Sequence, residues 1–211
     1  MGYSTLNDVQ FWGQFSNSDF GSDAGDYDYI NSVQRLIDFA DGEIDSYIRV
    51  PKGFFNSVVV DNEYHDGKRV PSGNKPLLRP NYIPILSVVK LGYWENGSWV
   101  TKTEGNSSDY IVLEHGIRLV TLPDRTDYKN IRLTYKCGYV QTPAIIVTVS
   151  GRLAAAVGQL IIDANKREPA TLSNLNVGVP ELASLTKVAF TPELKDLLSE
   201  YRLRQVRVYV K

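Results

Sequence analysis

Apolar residues recur along this chain with two periods, and the sharpest change from one to the other falls within residues 131–166. Ile131, Leu133, Tyr135 and Cys137 alternate with Arg132, Thr134 and Lys136, which predicts a half-buried strand. Gly138 and the corner Gln141-Thr142-Pro143 end it. Beyond the corner, Ile146, Val149, Leu153, Val157, Leu160 and Ala164 follow at steps of three or four. A helix is expected there, with Thr142 as its cap and Pro143 as its first residue. Ala154, Ala155 and Ala156 keep one flank thin enough for close packing. Burying each large apolar side chain of the stripe is worth roughly 1.5–3 kcal/mol before entropy, which makes this helix a pillar of the core.

The same reading predicts a short helix over residues 3–15, capped by Ser4 or Thr5, with Leu6, Val9 and Trp12 on one face. A second long helix is expected over 26–49, where Ile30, Val33, Ile37, Ala40, Ile44 and Tyr47 form a stripe and Pro51 with Gly53 stops it. Its other side carries Asn31, Gln34, Arg35, Asp38, Asp41 and Asp45, read as a solvated face or one turned to a neighbouring subunit. Between the two helices, 16–26 is a Gly- and Asp-rich connector in which Gly21 and Gly25 break the ligand register of a calcium loop.

A short strand is expected over 55–60 and a polar loop from Asp61 to Pro76. Ile83, Ile85 and Val88 to Leu91 read as a strand that pairs with Trp99 to Thr101 across Glu95-Asn96-Gly97. Tyr110 to Leu113 pairs with Ile117 to Leu122 across Glu114-His115-Gly116. After Lys166 the periodicity fades, and 167–191 reads as an extended arm. Thr191-Pro192-Glu193 opens a last helix with Leu194, Leu197, Leu198 and Tyr201 on one face and Arg202, Arg204 and Arg207 near its end. Val206, Val208 and Val210 alternate with Arg207 and Tyr209, so the tail can add as a strand to another sheet.

Composition narrows the function classes. The 211 residues are 43% hydrophobic and 22% charged, in the range of soluble globular proteins, and the net charge of −1 argues against field-driven attraction to nucleic acid or anionic membranes. A single cysteine excludes an internal disulfide and fits a reducing cytoplasm. No secretory pattern opens the chain, and its apolar runs fall short of the ~20 residues of a membrane span, so a soluble, unanchored protein is expected.

Candidate chemistry is sparse. Cys137 is expected to be a small buried hydrophobe rather than a nucleophile. Asp61, Glu63, His65 and Asp66 suggest a metal site, but they fall in the polar loop, and His115 is the other histidine of the chain. There is no Gly-rich phosphate loop, HExxH or GxSxG, so no enzyme, cofactor or metal is expected. Thirteen tyrosines and three tryptophans leave a carbohydrate- or small-ligand-binding module open as an alternative.

The segments TLNDVQFW at 5–12, YINSVQRLIDFADGEIDSYIR at 29–49, IPILSVVKL at 83–91 and LTYKCGYVQTPAIIVTVSGRLAAAV at 133–157 occur in an order that resembles the head-tail connector adaptor family of tailed bacteriophages. The run Tyr135 to Pro143 is the most specific piece. The resemblance covers roughly residues 3–166. It implies an α+β fold, a helical bundle built on two long helices with a β-hairpin or small antiparallel sheet inserted at about 55–137. Residues 1–166 would be the adaptor core and 167–211 an extended C-terminal arm and helix for partner docking.

It further implies a virion protein of the neck, assembled in the host cytoplasm, that forms a ring of commonly about twelve copies between the portal protein and a stopper or tail completion protein. Genomic DNA would pass through without sequence-specific binding. Carried onto this chain, the portal-facing part is 186–211, with Leu194, Leu198, Tyr201, Arg202 and Arg204 as portal-binding residues. Another tail-completion or baseplate subunit is an alternative within the same class.

Overall fold

The computed structural model describes residues 2–14, 26–70, 76–123, 128–167 and 188–202. The chain divides into two compact units, one formed by Met1–Phe55 with Gln141–Arg202 and one by Asn56–Val140.

The first unit is helical. Helix α1 (Leu6–Gly13) opens with a reciprocal cap, in which Asp8 N–H donates to Thr5 Oγ1 at 3.3 Å and Thr5 N–H to Asp8 Oδ2 at 2.7 Å. Helix α2 (Asp26–Ile48) buries Val33, Leu36, Ile37, Ala40, Ile44 and Ile48, whereas Ile30 of the expected stripe is 44% exposed. It closes with Arg49 left-handed at φ 67° and Val50 N–H on the Asp45 carbonyl, a helix stop complete before Pro51. Helix α3 (Ala144–Arg167) starts one residue later than expected, and the Thr142 hydroxyl donates to the Phe55 carbonyl. Ile146, Val149, Leu153 and Val157 are buried as expected, with Ile161 and Ile162, while Leu160 is half-buried. Helix α3 packs on both α1 and α2. By length and composition its segment Ala144–Asp163 could cross a membrane, which corrects the expectation drawn from apolar run length; here that apolar face is spent on the other helices. A short helix, α4 (Pro192–Leu197), capped by Thr191, also lies against α3.

Among the described residues, the second unit holds seven strands in two antiparallel sheets. Strands β1 (Val58–His65), β3 (Ile85–Glu95), β4 (Ser98–Lys102) and β7 (Ile131–Cys137) form one sheet in the order β1-β7-β3-β4. Strands β2 (Leu77–Leu78), β5 (Tyr110–Leu113) and β6 (Gly116–Leu119) form the other, in the order β2-β6-β5. Central strand β7 buries Ile131, Leu133, Tyr135 and Cys137, as its alternation predicts. Asn96 and Gly97, at φ 49° and 80°, make the mirror-image turn that suits the twist of β3 and β4.

The expected helical bundle on two long helices with a small β insertion is therefore corrected: the fold is mixed α/β, and the β part is a unit with seven strands among the described residues and its own core. The physical reason lies in 61–65, expected as loop and found as strand. Glu63 points into the sheet core there, and a buried carboxylate hides a strand from hydrophobic periodicity.

Candidate functional site

Four of the five residues expected to face a portal lie within the described residues, and each is engaged inside the helical unit. Leu194 and Leu198 are 4% and 0% exposed. Tyr201 meets Phe55 edge to face at 5.5 Å, and the Arg202 guanidinium lies 4.9 Å from the Tyr47 ring centroid. Phe190 packs edge-on against the same Tyr47 at 5.4 Å, with Lys195 Nζ 5.2 Å above it. Arg204 falls outside the described residues, as do residues 168–187 of the expected arm. Leu194 and Leu198 of the expected apolar face of 191–202 are thus covered by this chain's own helices, Tyr201 and Arg202, half-buried, form its edge, and Leu197, expected on the same face, is 38% exposed.

Of the residues read as a possible metal site, Asp61, Glu63 and His65 lie on β1 and Asp66 just beyond it. Asp61 is exposed, while Asp66 accepts from Lys129 N–H at 2.8 Å. Glu63, 8% exposed, accepts from the Tyr135 hydroxyl and from Asn81 N–H, both at 2.8 Å. His65 Nε2 approaches Glu63 Oε1 to 2.6 Å without hydrogen-bond alignment. Among the described residues no group of three or more His, Cys, Asp or Glu side chains is placed to hold a metal ion. Burial, aided by the Glu63 carboxylate, pushes the Cys137 thiol up to about 12, so the thiolate a nucleophile needs is scarce at neutral pH.

A second buried acidic network was hidden on the supposedly solvated side of α2. Asp45 is 4% exposed and accepts from the Tyr3 hydroxyl at 2.5 Å and from Gly53 N–H at 2.9 Å. Asp41 accepts from Tyr3 N–H at 2.7 Å and from Ser150 Oγ at 2.5 Å, and Ser150 Oγ lies 2.8 Å from Ser4 Oγ. Burial raises both carboxyls to about 6. Because the partners come from three distant segments, the network reads as a clasp that fixes the residues before α1, not as acid and base for a substrate.

The feature that sequence reasoning did not single out lies on the outer face of the larger sheet. Register places Tyr64 opposite Arg132, Arg132 opposite Gly92, and Trp94 opposite Trp99. Trp99 meets Trp94 at 5.4 Å and Tyr64 at 5.9 Å, and the Arg132 guanidinium lies 4.7 Å from the Trp99 centroid. Gly92 leaves the sheet surface bare, so that a Cβ there would meet the Trp99 ring at 3.7 Å. Beside this row an open groove of about 400 Å³ is lined by Trp94, Trp99, Tyr128, Lys129 and Asn130. The signal that marks the row is the cross-strand register, which no single segment carries. No protein-family model matches the chain, and no curated protein matches it.

Proposed function

We propose that this chain is a structural component of a tailed-phage head-tail connector, an adaptor that repeats as a ring between the portal protein and a stopper or tail completion protein, in the virion neck, with no chemistry of its own. The observation that supports the reading is the placement of the four segments that resemble the family. TLNDVQFW lies on α1, YINSVQRLIDFADGEIDSYIR on α2, IPILSVVKL runs into β3, and LTYKCGYVQTPAIIVTVSGRLAAAV spans β7 and α3. In space α1 and α2 each pack on α3, and β3 pairs with β7. The segments are therefore the contacting parts of each unit rather than scattered matches. Leu194 and Leu198 serve in this reading as the anchor of the C-terminal segment, and the portal contact falls to Tyr201, Arg202, Arg204 and the residues beyond.

The test is the mass of the purified protein, alone and mixed with tail-less particles, by light scattering and electron microscopy. Density for a ring at the portal vertex is the expected result. Indifference to the portal, with binding to tail tubes instead, moves the chain to a tail-completion or baseplate role.

A second reading, a carbohydrate-binding module, has one observation in its favour: Tyr64, Trp94 and Trp99 share an outer sheet face. Against it, Arg132 is stacked on Trp99, and Tyr3, Phe54, Phe55, Tyr93, Tyr110 and Tyr135 are spent in the cores. Oligosaccharide titration followed by tryptophan fluorescence decides between them.

A further inference from the structure

The outer face of the larger sheet carries uncompensated charge beside its aromatic row. On β7 the burial of Ile131, Leu133, Tyr135 and Cys137 leaves Arg132, Thr134 and Lys136 on the opposite, outer side. Register sets Lys90 of β3 opposite Thr134, so Lys90 shares that side. Lys90 and Lys136 are exposed, and Lys129 stands at the rim of the groove. Among the described residues the ion pairs are Glu63 with His65, Glu95 with Lys102 and Glu114 with His115. The side chains of Lys90, Lys129, Arg132 and Lys136 are therefore left without a carboxylate partner. The Glu95 pair belongs to the inner side, where Lys102 Nζ lies 4.9 Å from the Tyr93 ring centroid. On the flanking stretches, Asp61 sits at the irregularity of β1, and Asp66 Oδ1 is taken by the Lys129 N–H.

Three rings on and beside this face keep open surface: Tyr64 is 48% exposed, Trp94 38% and Tyr128 69%. Trp99 stands between Tyr64 and Trp94 and buttresses both, while its own ring is covered by the Arg132 guanidinium. A guanidinium stacked in this way still has N–H donors in its plane, suited to grip a phosphate. From Arg132 to Lys136 the cations extend over four residues of strand, about 13 Å at the usual rise. Flat platforms and cations therefore run together along one surface. A neutral sugar has no use for the cations. A duplex hides its base faces and can use the cations alone. An acidic peptide uses the cations and leaves the platforms idle. A strand with unpaired bases uses both.

We propose that this face binds single-stranded nucleic acid without sequence preference, its bases stacked on Tyr64, Trp94 and Tyr128 and its phosphates held by Lys90, Arg132 and Lys136. Stacking tolerates any base, because every base has a π-face, and none of the six residues is needed to close the core. The net charge of −1 for the whole chain does not oppose this, since screening confines each charge to about 8 Å at physiological salt and the attraction is local to one face. All six residues belong to the β unit, so the proposal stands apart from the adaptor reading.

The experiment titrates the full-length chain into a fluorescein-labelled thymidine oligonucleotide of about twelve residues, within the site sizes known for such surfaces, and follows anisotropy at several salt concentrations. Saturable binding is expected, tighter than to a duplex of equal length. Trp94→Ala and Tyr128→Ala should each weaken it by roughly 5- to 100-fold. Lys90→Ala combined with Lys136→Ala should weaken it and lower the slope of log affinity against log salt by about 1.4, at ~0.7 per phosphate. Tyr128, Lys90 and Lys136 are exposed, which keeps the test valid if Trp94→Ala folds poorly. No binding at low salt overturns the proposal, as does equal affinity for the duplex or an affinity untouched by Tyr128→Ala and Trp94→Ala. Displacement of the oligonucleotide by a neutral oligosaccharide, or by polyglutamate at equal charge, gives the face to a sugar or an acidic protein and overturns it too. A ring on the portal from a protein that ignores the oligonucleotide sinks this inference and leaves the adaptor reading standing; oligonucleotide binding without any portal response does the reverse.

Discussion

The Tyr135 hydroxyl, on β7, donates a 2.8 Å hydrogen bond to Glu63 Oε2 on the adjacent strand β1, and it also accepts from Tyr82 N–H at 3.1 Å. One phenol thus satisfies a buried carboxylate and a loop amide together. Burial and then the neighbouring carboxylate hold this phenol well above the usual tyrosine range, so it remains a donor at any physiological pH. Tyr135→Phe should cost about 1.5–3 kcal/mol, the range for a hydrogen bond to a charged group, read as a lowered urea midpoint at unchanged slope. Adding Glu63→Leu should restore part of the loss, because the uncompensated carboxylate goes with it. An unchanged midpoint for Tyr135→Phe would show that the bond is not formed in solution.

The Asp41 and Asp45 clasp predicts a pH dependence of definite sign. Both carboxyls are raised to about 6, chiefly by burial, with hydrogen bonds from Ser150 and Tyr3 to Asp41 and from Tyr3 and Gly53 to Asp45 acting the other way. The folded state therefore holds protons that the unfolded chain releases near the ordinary carboxylate pKa of about 4. Their stabilising contribution is fully present below pH ~4 and is lost as pH rises through about 6. Between pH 4 and 7 the wild type should lose stability relative to Asp45→Asn by roughly 1–3 kcal/mol, seen as a converging or crossing pair of stability curves from denaturant melts. Parallel curves would mean that the carboxyl titrates normally.

Periodicity made the larger elements legible and missed what depends on distant partners. Strand β7, the Asn96-Gly97 hairpin and the buried stripe Ile146, Val149, Leu153 and Val157 follow from local spacing, because one strand or helix buries one face. Glu63, Asp41 and Asp45 read as solvent-facing because their polarity is local information, whereas Tyr135, Asn81, Ser150 and Tyr3, which make burial tolerable, lie far off in sequence. The stripe Leu194, Leu197, Leu198 and Tyr201 follows from spacing, although Leu197 proves exposed, and a stripe states only that something covers it. Its cover proves to be this chain's own helical unit.

Gly151 sits where α3 meets α1, and a Cβ placed there would lie 3.3 Å from both Asp8 Cβ and Trp12 Cδ1. That is tight, and any larger side chain must push α1 away. Gly151→Val should destabilise the helical unit by roughly 1–3 kcal/mol, the range for overpacking, although it removes a helix-weakening glycine. Leu153→Ala, at a fully buried site two residues on, should cost roughly 2–5 kcal/mol. Thermal melts of the two variants test both; a Gly151→Val protein as stable as wild type would show that α1 rides loosely on α3.

The C-terminal segment gives the sharpest contrast between anchoring and docking. Leu198 is 0% exposed, so Leu198→Ala should lower stability by roughly 2–5 kcal/mol. Arg202, half-buried over Tyr47, contributes less, and Arg202→Ala should cost about 0.5–1 kcal/mol. Removing 186–211 strips Phe190, Leu194 and Leu198 from the helical core and should lower the melting temperature markedly. Removing only 203–211 should leave the melt of the helical unit unchanged while abolishing ring assembly on portal-bearing particles. If both truncations melt like the full chain, α4 is not part of the core. If the shorter truncation still assembles, the partner contact belongs to Tyr201, Arg202 and the surfaces before them, not to the tail.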